Sequence, residues 1–197
     1  AITTDPSYIF PYKNLASLNI ARGNMSAAEN TYKKGIEKTD GSPRLIFGLA
    51  NFYEQTGNPD AAIDQYEKLY EKNPDSLAAV NNMAMLLATY KDNPESIDRA
   101  KTLIVPLKSS DNPAYLDTVG WVYYKSGEYD RAISALEQAI IAAPRQPLLH
   151  YHLGMAYYSK GDTQKARQNL ELAVDGKQKY RGKEEAINVL ESLNRAG

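Results

Sequence analysis

The sequence predicts an all-α fold, an α-α solenoid built from helical repeats, and two observations support this prediction. The segment 153–174 copies the segment 119–140 at a shift of 34 residues, and related segments recur nearer the start of the chain. Each copy contains two runs of apolar residues at helical spacing, separated by a short turn. Repeats of this size cannot bury their apolar faces alone, so they stack and share a continuous core.

Five such repeats tile most of the chain. We place them at 9–42, 43–76, 77–112, 113–146 and 147–180. The third has 36 residues instead of 34, because the stretch YKDNPESIDRA expands its turn. Residues 1–8 form an N-terminal extension, and residues 181–197 contain one further amphipathic helix. A terminal helix with a polar outer side closes the open apolar face of a repeat array, so we expect this helix to act as a cap.

Small residues recur in register with the repeats. Glycine occupies the turn between the two helices of four repeats, where a positive φ has no steric cost. These glycines are Gly23, Gly57, Gly127 and Gly161, and Asn93 stands there in the third repeat. Alanine or glycine also occupies one position in every helix of the repeats, where a larger side chain would separate axes that lie about 8–10 Å apart. These ten residues are Ala16, Ala28, Ala50, Ala62, Ala84, Ala100, Gly120, Ala132, Gly154 and Ala166.

The composition excludes several classes of function. The chain has 23 Lys and Arg against 24 Asp and Glu, for a formal net charge of −1. It therefore offers no bulk positive field for phosphates, and nucleic acid is not an expected partner. Because it has no cysteine, it has no thiolate nucleophile and no thiolate-bound metal. No apolar run approaches the roughly 20 residues of a membrane-spanning helix, so we expect no direct membrane insertion by this segment.

Candidates for catalysis or metal binding are few. His150 and His152 are the only histidines. Two residues apart on a helix, they point in divergent directions and cannot share one metal ion. We expect them to be solvated or partly buried structural residues. No serine has the context of a nucleophile, and no glycine-rich phosphate loop follows a strand. We therefore predict a non-enzymatic protein without cofactor or metal.

The pattern of glycine, alanine and proline, with second helices ending at Pro74 and Pro144, resembles the tetratricopeptide repeat (TPR) family over about 170 of the 197 residues. The resemblance implies a right-handed superhelix in which the first helix of each repeat lines the concave side. The fourth and fifth repeats, with YLDTVGWVYYKSGEYDRAI and HYHLGMAYYSKGD, also resemble the last repeats of bacterial TPR proteins of envelope secretion and exopolysaccharide export.

The same resemblance places a partner-binding groove on the first helices, with Lys13, Ser17 and Arg44 in its wall. Aromatic side chains with a polar end make good anchors because they bury a large area at low entropic cost, and Asn side chains can bond to a peptide backbone. The predicted partner-binding residues are Phe47, Asn51, Asn81, Met85, Trp121, Tyr124, Tyr151, Met155 and Tyr158. The tyrosines also have a packing interpretation, because the family often has Tyr there, whereas the place of Trp121 is usually variable and faces the groove.

One class of ligand is not expected. TPR domains that grip the C-terminal carboxylate of heat-shock chaperones use Lys, Asn and Arg at matching positions of three consecutive repeats. In the first three repeats Lys13 fits this pattern, but Ser17, Gly48 and Ala78 do not. A carboxylate would find no cluster of charge-assisted donors at those positions.

Three functions stay open. The leading hypothesis is an adaptor that holds an extended or helical segment of a protein partner in its groove, in a bacterial envelope or secretion assembly, with the periplasm or cell envelope favoured over the cytoplasm. The second is a scaffold that self-associates through its N-terminal repeat face. Nothing comparable to the last helix closes that face, so we expect repeats beyond this chain, or the first eight residues, to cover it. The third is the regulatory arm of a larger enzyme.

Overall fold

The computed structural model describes residues 8–91 and 93–196. Within these ranges the chain forms eleven α-helices, one short 3-10 helix (Val105–Leu107) and no β-strand, which confirms the all-α prediction. The helices are α1 (Ile9–Ala21), α2 (Met25–Lys38), α3 (Pro43–Gln55), α4 (Pro59–Lys72), α5 (Leu77–Tyr90), α6 (Pro94–Leu103), α7 (Pro113–Lys125), α8 (Tyr129–Ala142), α9 (Pro147–Lys160), α10 (Thr163–Val174) and α11 (Lys183–Ala196). None of the helices in these ranges combines the length and hydropathy that crossing a bilayer requires.

The chain divides into two compact units, Ala1–Leu86 and Leu87–Gly197. In the N-terminal unit α1 packs on α2 and α3 packs on α4, and in the C-terminal unit α7 packs on α8 and α9 on α10. Each of these pairs is one helix-turn-helix, as in a TPR solenoid. The residue borders that we assign to the repeats stay predictions. The largest fully buried side chains include Tyr12, Leu45 and Tyr66 in the first unit and Leu136 and Leu170 in the second.

The turns between paired helices use the left-handed region of the backbone. Gly57 and Gly127 have φ values of 76° and 77°, a region that a side chain makes unfavourable. Gly23 and Gly161 share this conformation. In the third repeat Asn93 instead caps α6, because its Oδ1 accepts a hydrogen bond from the Ser96 N–H over 2.9 Å. Pro94 then begins that helix without a backbone N–H that would need a partner.

All ten recurrent small residues are buried. The two glycines among them are in the C-terminal unit, where a Cβ placed on Gly120 would lie 2.4 Å from Leu136 Cγ and one on Gly154 would lie 2.7 Å from Leu170 Cγ. The leucines of the second helices therefore occupy the volume that the glycines of the first helices leave free, which is why helix pairs pack closely at this register.

The further helix predicted after the fifth repeat is α11, which packs on α9 and α10. It buries Ala186 and Leu193, and Arg167 Nη2 donates to the carbonyl oxygen of Leu193 over 2.8 Å. Two acidic residues in its first turn and Arg195 in its last suit the helix dipole. The predicted capping helix is thus confirmed. Of the predicted N-terminal extension, residues 1–7 lie outside the described residues.

Candidate functional site

The N-terminal unit contains a cavity of about 720 Å³ whose walls come from the first helices of repeats one and two. One face of α3 supplies Arg44, Phe47, Asn51 and Gln55, and α1 supplies Lys13, Ser17 and Ile20. Residues three or four apart in a helix lie on one face, so both walls follow directly from the helical period. Two residues of the predicted binding site, Phe47 and Asn51, thus line one cavity with three residues of the predicted wall.

The floor of the cavity exists because residue 48 is glycine. A Cβ there would lie 2.7 Å from Cε1 of the Tyr32 ring, so the absence of a side chain lets this ring lie against α3. Tyr32 lines the cavity although it is only 6% exposed, and burial raises the pKa of its hydroxyl. Among the described residues its hydroxyl has no hydrogen-bond partner. The floor therefore offers a hydroxyl that a bound ligand can hydrogen-bond.

A hydrogen-bond network behind the wall fixes Asn51. The Tyr66 hydroxyl lies 2.6 Å from Asn51 Oδ1, contacts the Glu54 carboxylate, and accepts a hydrogen bond from Asn82 Nδ2 over 2.8 Å. Burial raises the pKa of both Tyr66 and Glu54. The Tyr66 ring also packs edge-on against Phe47, with centroids 5.7 Å apart. Phe47 and Asn51 are therefore held by one buried side chain.

This network decides which hydrogen-bonding groups of the wall are free. The oxygen of Asn51 is engaged by Tyr66, whereas its Nδ2 has no partner in the ranges that the structure describes. Asn81, the other predicted amide, differs: its Nδ2 donates to Asn82 Oδ1 over 3.0 Å, and its Oδ1 is buried without a partner. Asn81 and Met85 do not line the cavity. Their role as binding residues stays a prediction.

In the C-terminal unit the predicted aromatic group packs mainly with itself. The Trp121 indole is 7% exposed and stacks on Tyr124 at 4.8 Å and on His152 at 4.1 Å, and its Nε1 donates to Thr89 Oγ1 over 3.0 Å. Tyr151 and Met155 are also buried. Tyr158, at 40%, exposes the largest fraction of the five side chains. A partner would thus meet Tyr158 and part of Tyr124, and the anchor role of the group stays a prediction.

The two histidines are buried, not solvated. His152 Nδ1 lies 2.6 Å from Asp117 Oδ1, whereas the His150 ring contacts Asn169 Oδ1 and the carbonyl oxygen of Pro144. Their burial follows from their positions on α9, which packs against both α8 and α10. Over the described ranges, no group of three or more His, Asp or Glu side chains is arranged to hold a metal ion.

Family models described as tetratricopeptide repeat match residues 19–85 and 120–181. The chain belongs to the tetratricopeptide repeat family. This confirms the resemblance seen in the sequence, and the two matches fall one in each half of the repeat array.

Solved structures of TPR proteins agree with this assignment, and curated relatives are similar over most of this chain. A thermophilic TPR protein of Thermus thermophilus superposes with a TM-score of 0.69 at 17% identity, covering 95% of this chain and all of the other. YrrB, described as a TPR protein with an unusual peptide-binding site, superposes with a TM-score of 0.66 at 20% identity, covering 88% and 89% of the two chains. The bovine BBSome complex member BBS4 is 22% identical over 83% of this chain and 31% of its own length. The chain spans about a third of the length of BBS4 and of two further curated relatives.

The TPR pattern located the wall of the cavity but not its floor. Tyr32 lies on a second helix, which the family resemblance does not assign to the groove, and it reaches the cavity only because Gly48 has no side chain. Gln55 also lines the cavity. It follows Asn51 by four residues, so extending the helical face by one turn would have found it.

Proposed function

We propose that this TPR protein is a non-enzymatic adaptor that holds an extended segment of a partner protein in the cavity of its N-terminal unit. The TPR family generally serves as a scaffold for protein interaction. The observation that supports the site is the cavity of about 720 Å³. It brings together Phe47, which can serve as an aromatic anchor, and Asn51, whose oxygen is held by Tyr66 while its Nδ2 can donate to a ligand. Binding pockets typically combine an apolar lining with a few placed polar groups in this way.

The spacing of the amides favours an extended partner. Asn51 and Gln55 lie one helical turn apart on the same wall, and side chains at that spacing begin about 6 Å from each other. Backbone carbonyls on one side of an extended peptide recur every two residues, or about 6.6 Å. The two amides can therefore bond to successive carbonyls of one strand, while Phe47 and Ile20 receive its side chains.

Selection from a random peptide library displayed on phage tests this proposal. We expect the wild-type chain to enrich a defined motif and Ser17→Trp to lose it, because Ser17 is exposed on α1 and an indole there fills the cavity without replacing a packed residue. Asn14→Trp is the matched control, since Asn14 is exposed on the same helix outside the cavity lining.

Two results would overturn the proposed site. If the wild type enriches no motif, or Ser17→Trp enriches the same one, the cavity does not bind peptides. If Tyr158→Ala loses the motif while Ser17→Trp retains it, the binding surface lies in the C-terminal unit. That result would agree with the aromatic binding residues that the sequence predicts there. Circular dichroism of every variant establishes that its helix content equals that of the wild type.

The finer part of the proposal is that this adaptor works in a bacterial envelope, secretion or exopolysaccharide assembly. Its support is the resemblance of the fourth and fifth repeats in the sequence. Fractionation of the source cells with an antibody against the chain tests this setting. Recovery with the envelope or periplasm would support it, and recovery with the cytosol alone would overturn it.

A second candidate function, self-assembly, is favoured by two exposed leucines on α1. Leu15 and Leu18 are 40% and 44% exposed, whereas the residues at the same two positions of the other four repeats are at most 5% exposed. In the second repeat one of these, Phe52, packs against Tyr32 of the preceding second helix. Lys13 is the only charged residue of α1, and it lines the cavity, so α1 adds no charge to the face that carries Leu15 and Leu18. We therefore propose that the same apolar face of a second copy of this chain covers it.

Light scattering after size-exclusion chromatography, over a range of concentrations, tests self-assembly. We expect a dimer that Leu15→Lys with Leu18→Lys converts to a monomer, because the added charges would face each other across the interface. Val105→Lys with Ile141→Lys, at exposed apolar positions of the C-terminal unit, is the control for added charge. A wild-type chain that stays monomeric at every concentration would show that a copy does not cover this face.

A further inference from the structure

We propose that the cavity of the N-terminal unit selects partner segments that carry a carboxylate beside an apolar residue. This inference rests on the proposed peptide-binding function and specifies its ligand. The charged residues that line the cavity are Lys13 and Arg44, and no carboxylate lines it within the part of the chain that the structure describes. Neither cation makes an ion pair with another described residue. Within the described ranges, the two positive charges therefore lack a counter-charge.

The other polar groups of the cavity are available as donors. Among the described residues, Nδ2 of Asn51 has no partner while its oxygen is engaged by Tyr66, and the Tyr32 hydroxyl on the floor has no partner either. A carboxylate has two oxygens and about four lone-pair sites, so it can satisfy several donors at once. A lysine or arginine of a partner would instead add a like charge beside Lys13 and Arg44.

The orientation of α3 also favours a negatively charged ligand. This helix begins at Pro43, which lines the cavity together with Arg44, so the positive end of its dipole lies at the cavity wall. Its first turn contains no acidic residue, and the Ser42 side chain makes no capping hydrogen bond. The side-chain charges of Lys13 and Arg44 and the dipole of α3 thus both favour an anion at this wall.

The apolar part of the cavity defines the rest of the ligand. Phe47, Ile20, Phe52 and Leu69 line it alongside the donors. The carboxylate nearby in sequence, Glu54, contacts the Tyr66 hydroxyl and is not part of the lining. The expected recognition element is therefore an Asp, a Glu or a free chain terminus next to a leucine-like or aromatic residue. This arrangement differs from the chaperone-type clamp, because Ser17 and Gly48 stand where that clamp has Asn.

The composition of peptides selected from the random library tests this inference. We expect the wild type to enrich Asp or Glu beside an apolar residue. The double variant Lys13→Gln with Arg44→Gln should lose the preference for acidic residues and keep the preference for apolar ones. The double variant Lys13→Glu with Arg44→Glu should prefer basic residues in place of acidic ones. Lys34→Gln with Lys68→Gln is the control, because it removes the same charge from exposed positions outside the cavity lining.

Synthetic versions of an enriched peptide then measure the effect and distinguish its source. Replacing the acid by its amide should weaken binding to the wild type about tenfold or more, as expected for loss of a charge-assisted hydrogen bond. The same replacement should change binding to the Lys13→Gln and Arg44→Gln double variant by less than about threefold. Peptides with a free and with an amidated C-terminus show whether a side chain or the terminus supplies the carboxylate.

The outcomes separate the two proposals. An enriched motif without acidic preference, or an acidic preference retained by the double glutamine variant, overturns the inference and leaves the adaptor function in place. No enriched motif with the wild type overturns both. An acidic motif lost in the double glutamine variant and retained in the Lys34 and Lys68 control supports both.

Discussion

Trp121 stacks on His152, a residue of the next repeat, with ring centroids 4.1 Å apart and planes inclined by 25°. The imidazole is in turn held by Asp117, one helical turn before Trp121 on α7, through a contact of 2.6 Å. Both members of this His–Asp pair are buried. The tryptophan that the sequence singles out is therefore part of a packed contact between α7 and α9.

We predict that Asp117→Ala lowers the free energy of unfolding of the C-terminal unit by about 1–3 kcal/mol, because it leaves the buried His152 Nδ1 without a partner. Urea unfolding followed by the fluorescence of Trp121, the only tryptophan, measures the loss. Asp130→Ala is the control, since Asp130 pairs with Lys160 on the surface and such pairs contribute at most about 1 kcal/mol. Equal losses in the two variants would contradict a structural role for the buried pair.

The helices could be predicted well because the same pattern of apolar and small residues recurs in each repeat. Apolar spacing, the turn glycines and the ten small residues all reflect contacts within one repeat or between neighbours. The environment of Trp121 was harder to predict, because His152 lies 31 residues further along the chain. Whether its ring covers the indole depends on the angle between successive repeats, which the repeat period does not determine.

The candidate cavity shows the same limit. Helical spacing placed Phe47 and Asn51 on one wall, and the family resemblance added Lys13, Ser17 and Arg44. As far as the structure describes the chain, no carboxylate lines the cavity with Lys13 and Arg44, although 24 acidic residues occur in the sequence. The number of acidic residues can be read from the sequence. Their positions relative to the cavity depend on the folded structure and could not be predicted.

Glu54 gives a prediction for the dependence of stability on pH. Burial raises the pKa of this carboxyl above its ordinary value of 4.5. The folded chain therefore binds this proton more tightly than the unfolded chain, so the Glu54 contribution to stability declines as the pH rises from 4.5 through the folded pKa. Glu54→Gln should remove this decline, because a glutamine does not titrate.

Urea unfolding of the wild type and Glu54→Gln, followed by circular dichroism from pH 4.5 to neutrality, checks this prediction. The difference between the two curves isolates Glu54 from Glu29 and Glu128, whose pKa values are lowered, mainly by hydrogen bonds from Lys33 and Lys101, and whose contributions have the opposite sign. The stability of the variant relative to the wild type should increase with pH. A constant difference would mean that Glu54 titrates alike in the folded and unfolded chains.

Gly154 gives a prediction about close packing. Gly154→Ala should lower the free energy of unfolding by about 1–3 kcal/mol, because its Cβ would lie 2.7 Å from Leu170 Cγ and 3.2 Å from the Leu170 backbone nitrogen. Gly161→Ala is a control of a different kind, since its Cβ would meet nothing within 4 Å but its φ is 91°. Its cost should be backbone strain of about 1–2 kcal/mol.

Shortening Leu170 distinguishes crowding from strain. In a double-mutant cycle Leu170→Val should cost less in the Gly154→Ala background than in the wild type, because it removes atoms from the crowded contact. In the Gly161→Ala background its cost should be unchanged. Additive effects in both backgrounds would show that crowding against Leu170 is not the reason for glycine at position 154.

The two faces of α11 should respond differently to truncation. Leu193 is 6% exposed, so Leu193→Ala should cost about 2–4 kcal/mol through lost burial and the cavity left behind. Ile187 is 37% exposed on the same helix, and Ile187→Ala should cost less because more of its side chain already contacts water. Unfolding followed by Trp121 fluorescence compares them. Because α11 closes the last repeat only if its inner face is packed, equal costs for the two variants would contradict its role as a cap.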